Sequence, residues 1–238
     1  NLGCVYCQNR EIALGHSGRT ITQDRLCEIY MELQEKKANN INLVTAGHYL
    51  PIVIESIKKA RKNGLTIPIV YNSSGYEKVE AIEALNGIVD IFLPDFKYIS
   101  SEMAARYSNA PDYPEVAKRA LAQMVKQTGD AKFDDRDMMK RGVIVRHLIL
   151  PGHIKESKKA IRYLYETYGD QIYISIMNQY TPMPGIEKRF KNLGRTITQR
   201  EYDEVVDYAV DLGVENGFIQ EGETAKESFI PQFDDTGL

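Results

Sequence analysis

The sequence lacks long apolar runs and an excess of basic residues, and each lack excludes a class of protein. No hydrophobic stretch approaches the ~18 residues that a helix needs to cross a bilayer, so we expect no membrane partner. The 30 basic and 33 acidic residues give a net charge of -3, without the Lys/Arg-rich stretch typical of nucleic-acid binding. The first residues hold no charged segment followed by an apolar core, so we expect no secretory signal peptide.

Cysteine is also scarce, with three residues in 238. A small, odd number of cysteines does not suit a disulfide framework, and we expect a reducing, cytoplasmic setting. Hydrophobic residues make up 43% of the chain, which is enough for a sizeable core. The length fits one large domain, because α/β barrels of this size are commonly undivided.

Short β-branched runs alternate with amphipathic helical patterns, which indicates an α/β fold with a parallel sheet. Several of these runs are apolar at consecutive positions, as in strands that are buried on both faces. Strands are predicted at residues 41–45, 67–71, 89–93, 143–150, 172–177 and 217–220.

The helices between these strands carry recognisable end signals. Pro51 suits a first helical turn, Gly64 and Gly169 suit helix ends, and Thr198 with Glu201 forms a capping-box pattern. The crossover over residues 100–140 is long, and we expect it to carry substrate contacts. It contains predicted helices at 101–107 and 114–127, followed by an acidic loop at 134–137. Residues 221–238 show no periodicity and are predicted to form an extended tail.

Cys4 and Cys7 form a CxxC pair, for which the residues alone leave three interpretations open. The pair is compatible with a thioredoxin-like dithiol, although no helical pattern follows it at once. It is compatible with zinc if His16 is a third ligand, but the fourth ligand is not evident. It is also compatible with an iron–sulfur cluster, which needs at least three thiolates here. Cys27 is a poor third ligand, because its helical pattern predicts a small buried residue.

Residues 1–9 resemble the cluster loop of radical S-adenosylmethionine (SAM) enzymes, Cys-x3-Cys-x-aromatic-Cys. In that register the first cysteine falls immediately before Asn1. Almost the whole chain resembles the pyruvate formate-lyase activating enzyme group, and in particular a PflX-like branch of it. Five stretches carry the resemblance, each at or just after a predicted strand or within the cysteine loop: residues 4–9, 42–49, 71–76, 93–98 and 145–152.

The resemblance implies a partial (β/α)6 TIM-type barrel over residues 1–220, with the first strand and the first cluster cysteine missing from the chain. It implies a [4Fe–4S] cluster with Cys4 and Cys7 as ligands, and SAM as the second cofactor. Reductive cleavage of SAM would then yield a 5′-deoxyadenosyl radical that abstracts hydrogen from a substrate. The implied partners are a glycyl-radical enzyme or another protein substrate, and a flavodoxin- or ferredoxin-type electron donor.

The resemblance also implies roles for residues around SAM. Tyr6 matches an aromatic residue that packs near the adenine. Thr45, Ala46 and Gly47 match a segment whose backbone receives the amino group of SAM. His48 stands where that segment has a glutamate, which is one departure from the family. A second departure is Tyr180 with Thr181, where better-known activating enzymes have a histidine.

The remaining predicted SAM contacts lie at three later strands. Asn72 and Ser74 match contacts to the ribose and the methionine portion, although Asn-Ser-Ser-Gly is also a common turn sequence. Asp95 and Lys97 are two residues apart, so they share one face of a strand end, and the family uses this pair at the SAM site. Arg146 matches a partner of the SAM carboxylate, and a charge within an apolar strand is costly unless it is paired.

Overall fold

A computed structural model describes residues 2–9 and 18–220 of the chain. Six strands run parallel in the order β1-β2-β3-β5-β6-β7, and the short β4 pairs antiparallel with β5. Within the described residues β1 and β7 are not paired with each other, so the sheet curves as an open, partial TIM-type barrel. The strands are β1 Ile41–Val44, β2 Ile69–Ser73, β3 Ile91–Pro94, β4 Lys132–Phe133, β5 Met139–Leu148, β6 Tyr173–Met177 and β7 Gly217–Ile219.

Helices connect the parallel strands and cover the sheet. They bury their apolar faces against it and against neighbouring helices, as amphipathic helices of α/β proteins do. The α-helices are α1 Gln23–Glu35, α2 Leu50–Lys62, α3 Val79–Ala84, α4 Ser101–Ser108, α5 Tyr113–Thr128, α6 Ile154–Tyr168 and α7 Gln199–Leu212. None of these helices is long and apolar enough to cross a membrane.

The central strands are buried on both faces, as their continuous apolar sequences predict. Tyr71 and Phe92 are fully buried, and their rings meet edge to face at 6.1 Å between centroids. The edge strand β1 instead alternates between buried and exposed residues, and Val44 is exposed. The single core therefore lies between the central strands and the helices that cover them.

The predicted elements are found close to their predicted positions. Pro51 lies in the first turn of α2, and Thr198 and Glu201 form the expected capping box at the start of α7. Cys27 is buried in α1, as its helical pattern predicts. The tail predicted at 221–238 and the residue His16 lie outside the described residues.

Two short elements of the structure were not predicted, and the acidic loop gives the third difference. The helix α3 has only six residues and β4 only two, and neither gives a clear periodic signal in the sequence. The acidic loop at 134–137 forms the turn between β4 and β5, at the beginning of β5. It therefore lies at the end of the sheet opposite the strand ends that carry Arg146, and the expectation that the crossover over residues 100–140 carries substrate contacts stays a prediction.

Candidate active site

The polar residues predicted at three strands meet at the C-terminal edge of the sheet. Asp95 follows β3 and bridges in register to Arg146 of β5. The Asp95 carboxylate lies 2.6 Å from Lys97 Nζ and 2.7 Å from an Arg146 guanidinium nitrogen. The same guanidinium nitrogen donates a hydrogen bond to Asn72 Oδ1 at 2.7 Å. Side chains from β2, β3 and β5 thus form one partly buried polar cluster, as alignment of the strand ends requires.

Ion pairing sets the protonation states of this cluster. Burial alone raises the pKa of Asp95, but attraction to Lys97 and Arg146 outweighs burial and holds that pKa below its ordinary value. Burial lowers the pKa of Lys97, and the neighbouring Asp95 carboxylate more than offsets this, so the net shift is upward. Both groups are charged near neutral pH. Arg146 keeps one donor unused, because its buried Nε–H has no hydrogen-bond partner among the described residues.

Tyr113 of α5 holds the backbone of the residues that carry this cluster. Its single hydroxyl proton is shared between the carbonyl oxygens of Ser74 and Asp95, both at 2.9 Å, and its oxygen accepts from the Lys97 N–H at 2.9 Å. Gly75 has a φ of +75°, and a Cβ built there would lie 2.2 Å from the Asp95 carbonyl oxygen. Only glycine therefore allows the turn after β2 to approach the end of β3 this closely.

The turn after β1 lies beside Asn72. Thr45 has a left-handed backbone, with φ 55° and ψ 40°, and its N–H donates to the Asn72 carbonyl oxygen at 2.9 Å. Ala46, Gly47 and His48 continue into a 3-10 helix over Ala46–Tyr49. His48 is exposed. The backbone of the predicted SAM-binding turn is therefore next to the polar cluster.

Glu77 lies beside the predicted SAM-binding turn, and the sequence analysis did not pick it out. It is buried, and a Cβ built on Gly47 would lie 3.4 Å from both Glu77 Oε2 and the Tyr71 hydroxyl oxygen. Burial raises the pKa of Glu77, as it does for a carboxylate removed from water. The Tyr71 hydroxyl is buried without a hydrogen-bond partner among the described residues. A loop glutamate gives no local signal of burial, because its burial comes from the neighbouring β1–α2 turn.

The cysteine loop lies against the C-terminal end of α4. The Val5 N–H donates to the Tyr107 carbonyl oxygen at 2.9 Å, and the Gly3 N–H donates to that of Ser108 at 3.3 Å. A turn brings the Cys7 N–H to the Cys4 carbonyl oxygen at 3.2 Å, and both thiols are free and partly exposed. Ser108 Oγ lies between Cys4 Sγ and the Tyr98 hydroxyl, and the Tyr98 ring meets Tyr113 edge to face at 5.6 Å, so this loop is close to the tyrosine that supports the polar cluster.

Tyr6 occupies the buried side of this loop. Its hydroxyl oxygen lies 2.5 Å from that of Tyr98, and its ring meets Tyr180 edge to face at 6.0 Å. Tyr98 contacts Ser108 Oγ at 2.8 Å, and Ser108 Oγ lies 3.0 Å from Cys4 Sγ. Burial raises the pKa of Tyr6 and of Tyr98, so both phenols keep their protons near neutral pH.

The donor set fits two ligands of a cluster and the polar end of an amino acid. Cys4 and Cys7 are two free thiols on one turn, although within the described residues no three His, Cys, Asp or Glu side chains gather as a complete metal site. The unused Nε–H of Arg146 suits a carboxylate. The buried carboxylate of Glu77 suits an ammonium group. A ligand that carries both groups, as the methionine portion of SAM does, matches this arrangement.

Comparison with solved structures places the fold in one class. A domain of the pyruvate-formate lyase-activating enzyme from Bacteroides vulgatus matches 76% of the chain and 98% of that domain, with a TM-score of 0.53 and 13% identity. SuiB from Streptococcus suis, solved bound to S-adenosylmethionine, matches 93% of the chain and 48% of its own length, with a TM-score of 0.59 and 11% identity. The chain therefore shares the open, partial TIM-type barrel fold of these two proteins.

Sequence comparison finds a relative without an assigned activity. The protein MJ0674 of Methanocaldococcus jannaschii, described as uncharacterized, is 27% identical over 215 residues. These residues are 88% of the chain and 59% of that relative, so the chain spans about three fifths of the relative's length. No protein-family model matches the chain.

Proposed function

We propose that the chain is a radical SAM enzyme of the PflX-like branch of the pyruvate formate-lyase activating enzyme group. One observation carries the proposal: the Asp95–Lys97–Arg146 cluster lies at the C-terminal edge of an open, partial TIM-type barrel, and Ser108 and Tyr98 link the loop of Cys4 and Cys7 to the tyrosine that supports this cluster. Charges in such a place are costly to bury and are typical of ligand sites. The resemblance of five separate stretches to that group supports the same assignment.

In this proposal Cys4 and Cys7 hold two irons of a [4Fe–4S] cluster, and a third cysteine completes the site. When bound and reduced, the cluster would supply the electron for cleavage of SAM, and the bound SAM would supply the radical chemistry that removes a hydrogen atom from the substrate. The protein residues bind and orient SAM. Arg146 offers its Nε–H to the carboxylate of SAM, and the Asp95 carboxylate holds the guanidinium in place.

Glu77 takes the role that the resemblance would give to a glutamate at position 48. Its carboxylate lies against Gly47, within the turn that matches the family's amino-group site. A buried carboxylate with a raised pKa gains from a cationic ligand, because the ligand compensates for the lost hydration. The exposed His48 then has no need to contact SAM.

The proposed substrate is a glycine Cα–H of a glycyl-radical enzyme. The resemblance to activating enzymes motivates this choice, and the named function of the Bacteroides domain agrees with it. A different peptide or small molecule is the alternative within the same chemistry, since the fold does not fix the substrate. A non-catalytic redox or metal-binding module is the alternative outside it.

The deciding test is 5′-deoxyadenosine formation from SAM by the full-length protein, reconstituted with iron and sulfide without oxygen and then reduced. Product formation is expected, and a protein with a full iron complement but no product would be a non-catalytic module. Cys4→Ala and Cys7→Ala should each abolish the cluster absorbance near ~400 nm. Cys27→Ala, at the buried cysteine of α1, is the matched control and should retain it.

A glycyl-radical signal in electron paramagnetic resonance (EPR) spectra separates the possible substrates. A candidate glycyl-radical enzyme treated with the active protein and SAM should show that signal. Turnover of SAM without the signal, across the candidate partners, would favour the other peptide or small-molecule substrates.

A further inference from the structure

A chain of hydroxyl groups runs from the interior of the protein to Cys4. Ser108 Oγ lies 3.0 Å from Cys4 Sγ and 2.8 Å from the Tyr98 hydroxyl oxygen, which in turn lies 2.5 Å from that of Tyr6. All three hydroxyl residues are buried. The SAM contacts and the cluster ligands proposed above do not require this chain of hydroxyl groups. Its last member, Ser108, contacts the sulfur of the proposed ligand Cys4.

Metal binding at Cys4 would fix the direction of every hydrogen bond in the chain. A cysteine sulfur that is bound to iron has lost its proton and can only accept. Ser108 must then donate its single proton to Cys4 Sγ, so it can only accept from Tyr98. Tyr98 has then used its own proton and can only accept from Tyr6. The three hydroxyl groups therefore point their protons one after another toward the sulfur.

Such an aligned chain strengthens its last hydrogen bond. Each donor polarises the next in a buried, weakly screened environment, which increases the partial positive charge that faces the sulfur. Hydrogen bonds to ligand sulfurs are one of the properties that set the reduction potential of iron–sulfur clusters. They stabilise the reduced cluster more, because it carries one more negative charge than the oxidised cluster.

We propose that Ser108, supported by Tyr98 and Tyr6, raises the reduction potential of the cluster by donating a hydrogen bond to Cys4 Sγ. This inference rests on the proposed function, because it requires the cluster. Ser108 is a positioning residue here, since it acts through Cys4. One electron from an external donor converts the [4Fe–4S]2+ state to [4Fe–4S]+, and no proton is transferred along the hydroxyl chain.

The test is an EPR-monitored redox titration of the reconstituted full-length protein, with dithionite as reductant. Ser108→Ala removes the donor and should lower the equilibrium constant for reduction about tenfold, a shift of ~59 mV toward negative potential for one electron. Tyr98→Phe keeps the serine but removes the proton behind it, and should lower the constant only about twofold. Ser108→Thr keeps a hydroxyl group and should restore most of the potential.

Ser157→Ala is the matched control, because Ser157 is a buried serine on α6, a different helix from the one that carries Ser108. Its potential should equal that of the unaltered protein. Wild-type potentials in both Ser108→Ala and Tyr98→Phe, with clusters intact, would overturn the inference and leave the proposed function standing. If Ser108→Ala does not fold, the reduction potentials of the other two variants decide the question. The inference requires a lower potential in Tyr98→Phe than in Ser108→Thr. A wild-type protein that takes up no cluster would overturn both proposals.

Discussion

At the scale of single residues, the site depends on charges held where hydration is poor. Arg146 lies in an otherwise apolar strand and is held by Asp95 and Asn72. The sequence predicted that this charge needs a partner, because a charge within a buried strand is costly unless it is paired, but it did not predict that Asp95 and Asn72 are the partners. It could not predict Glu77, since nothing local distinguishes a buried loop glutamate from an exposed one. Spacing also could not show that Ser108 contacts Cys4, because the two residues are 104 positions apart.

A substitution of Glu77 tests the missed residue. Glu77→Gln keeps the shape of the side chain but removes the negative charge beside Gly47, and the dissociation constant of SAM should rise about tenfold. Isothermal titration calorimetry of the reconstituted protein measures this change. Glu80→Gln, at an exposed position of α3, is the control and should bind SAM normally. Equal affinity in the two variants would remove Glu77 from the site.

Substitution of Asp95 should separate SAM binding from cluster binding. Asp95→Ala leaves the charges of Lys97 and Arg146 without their shared partner and frees the guanidinium to move. The cluster absorbance should persist, because neither proposed cysteine ligand contacts Asp95, while the affinity for SAM falls at least tenfold. A variant that binds SAM as the unaltered protein does would show that Asp95 does not position the ligand.

At the scale of elements, the sequence signals were strongest where caps and periodicity agree. The helix α7 begins at a complete capping box, and Glu201 also accepts hydrogen bonds from Arg195 and from the Gly152 N–H. The helix α3 and strand β4 were missed because they are too short for a periodic pattern. The pairing of β4 with β5 depends on a turn and not on composition.

The capping box gives a stability prediction for α7. Glu201→Ala removes the reciprocal cap and the contact with Gly152, which joins α7 to the loop after β5. The free energy of unfolding should fall by about 1–2 kcal/mol, as measured by urea denaturation. Asp207→Ala, at an exposed position of the same helix, should change it by less than ~0.5 kcal/mol. Similar losses in the two variants would contradict a specific role for the cap.

At the scale of the whole molecule, periodicity predicted a parallel sheet, whereas only the resemblance predicted that the barrel is partial. Alternating β and α patterns predict a parallel sheet, whereas closure depends on whether β1 and β7 meet, and these two strands are far apart in sequence. The C-terminal edge collects Asn72, Asp95 and Arg146 because parallel strands all end there. The partial TIM-type barrel that the resemblance implied is confirmed, whereas the binding roles of the residues at this edge stay predictions.

Stability of the whole molecule should decrease in acid. Hydrogen bonds from Arg195 and from the backbone of Thr198 and Gly152 lower the pKa of Glu201 to about 2, and Asp95 also has a lowered pKa. A carboxylate with a lowered folded-state pKa stabilises the protein above its unfolded pKa, and this contribution is lost as the pH falls through the folded value.

The decrease in the free energy of unfolding should appear below about pH 5 and amount to about 2 kcal/mol for Glu201 alone. Glu77 acts in the opposite direction, because its raised pKa makes its burial less costly once it is protonated. Urea denaturation at pH 7, 5 and 3 measures the balance. Glu201→Gln should weaken the acid dependence, and an unchanged dependence would show that this carboxylate is not held as described.

The hydroxyl group of Tyr113 joins an outer helix to the ends of two strands through main-chain atoms only. The atoms it contacts belong to residues 74, 95 and 97, but none of them is a side-chain atom. Side chains at the ends of those strands can therefore be substituted in evolution while the position of the backbone that carries them is kept. A scaffold of this kind can acquire new substrates through changes at the rim, provided that the tyrosine on α5 is retained.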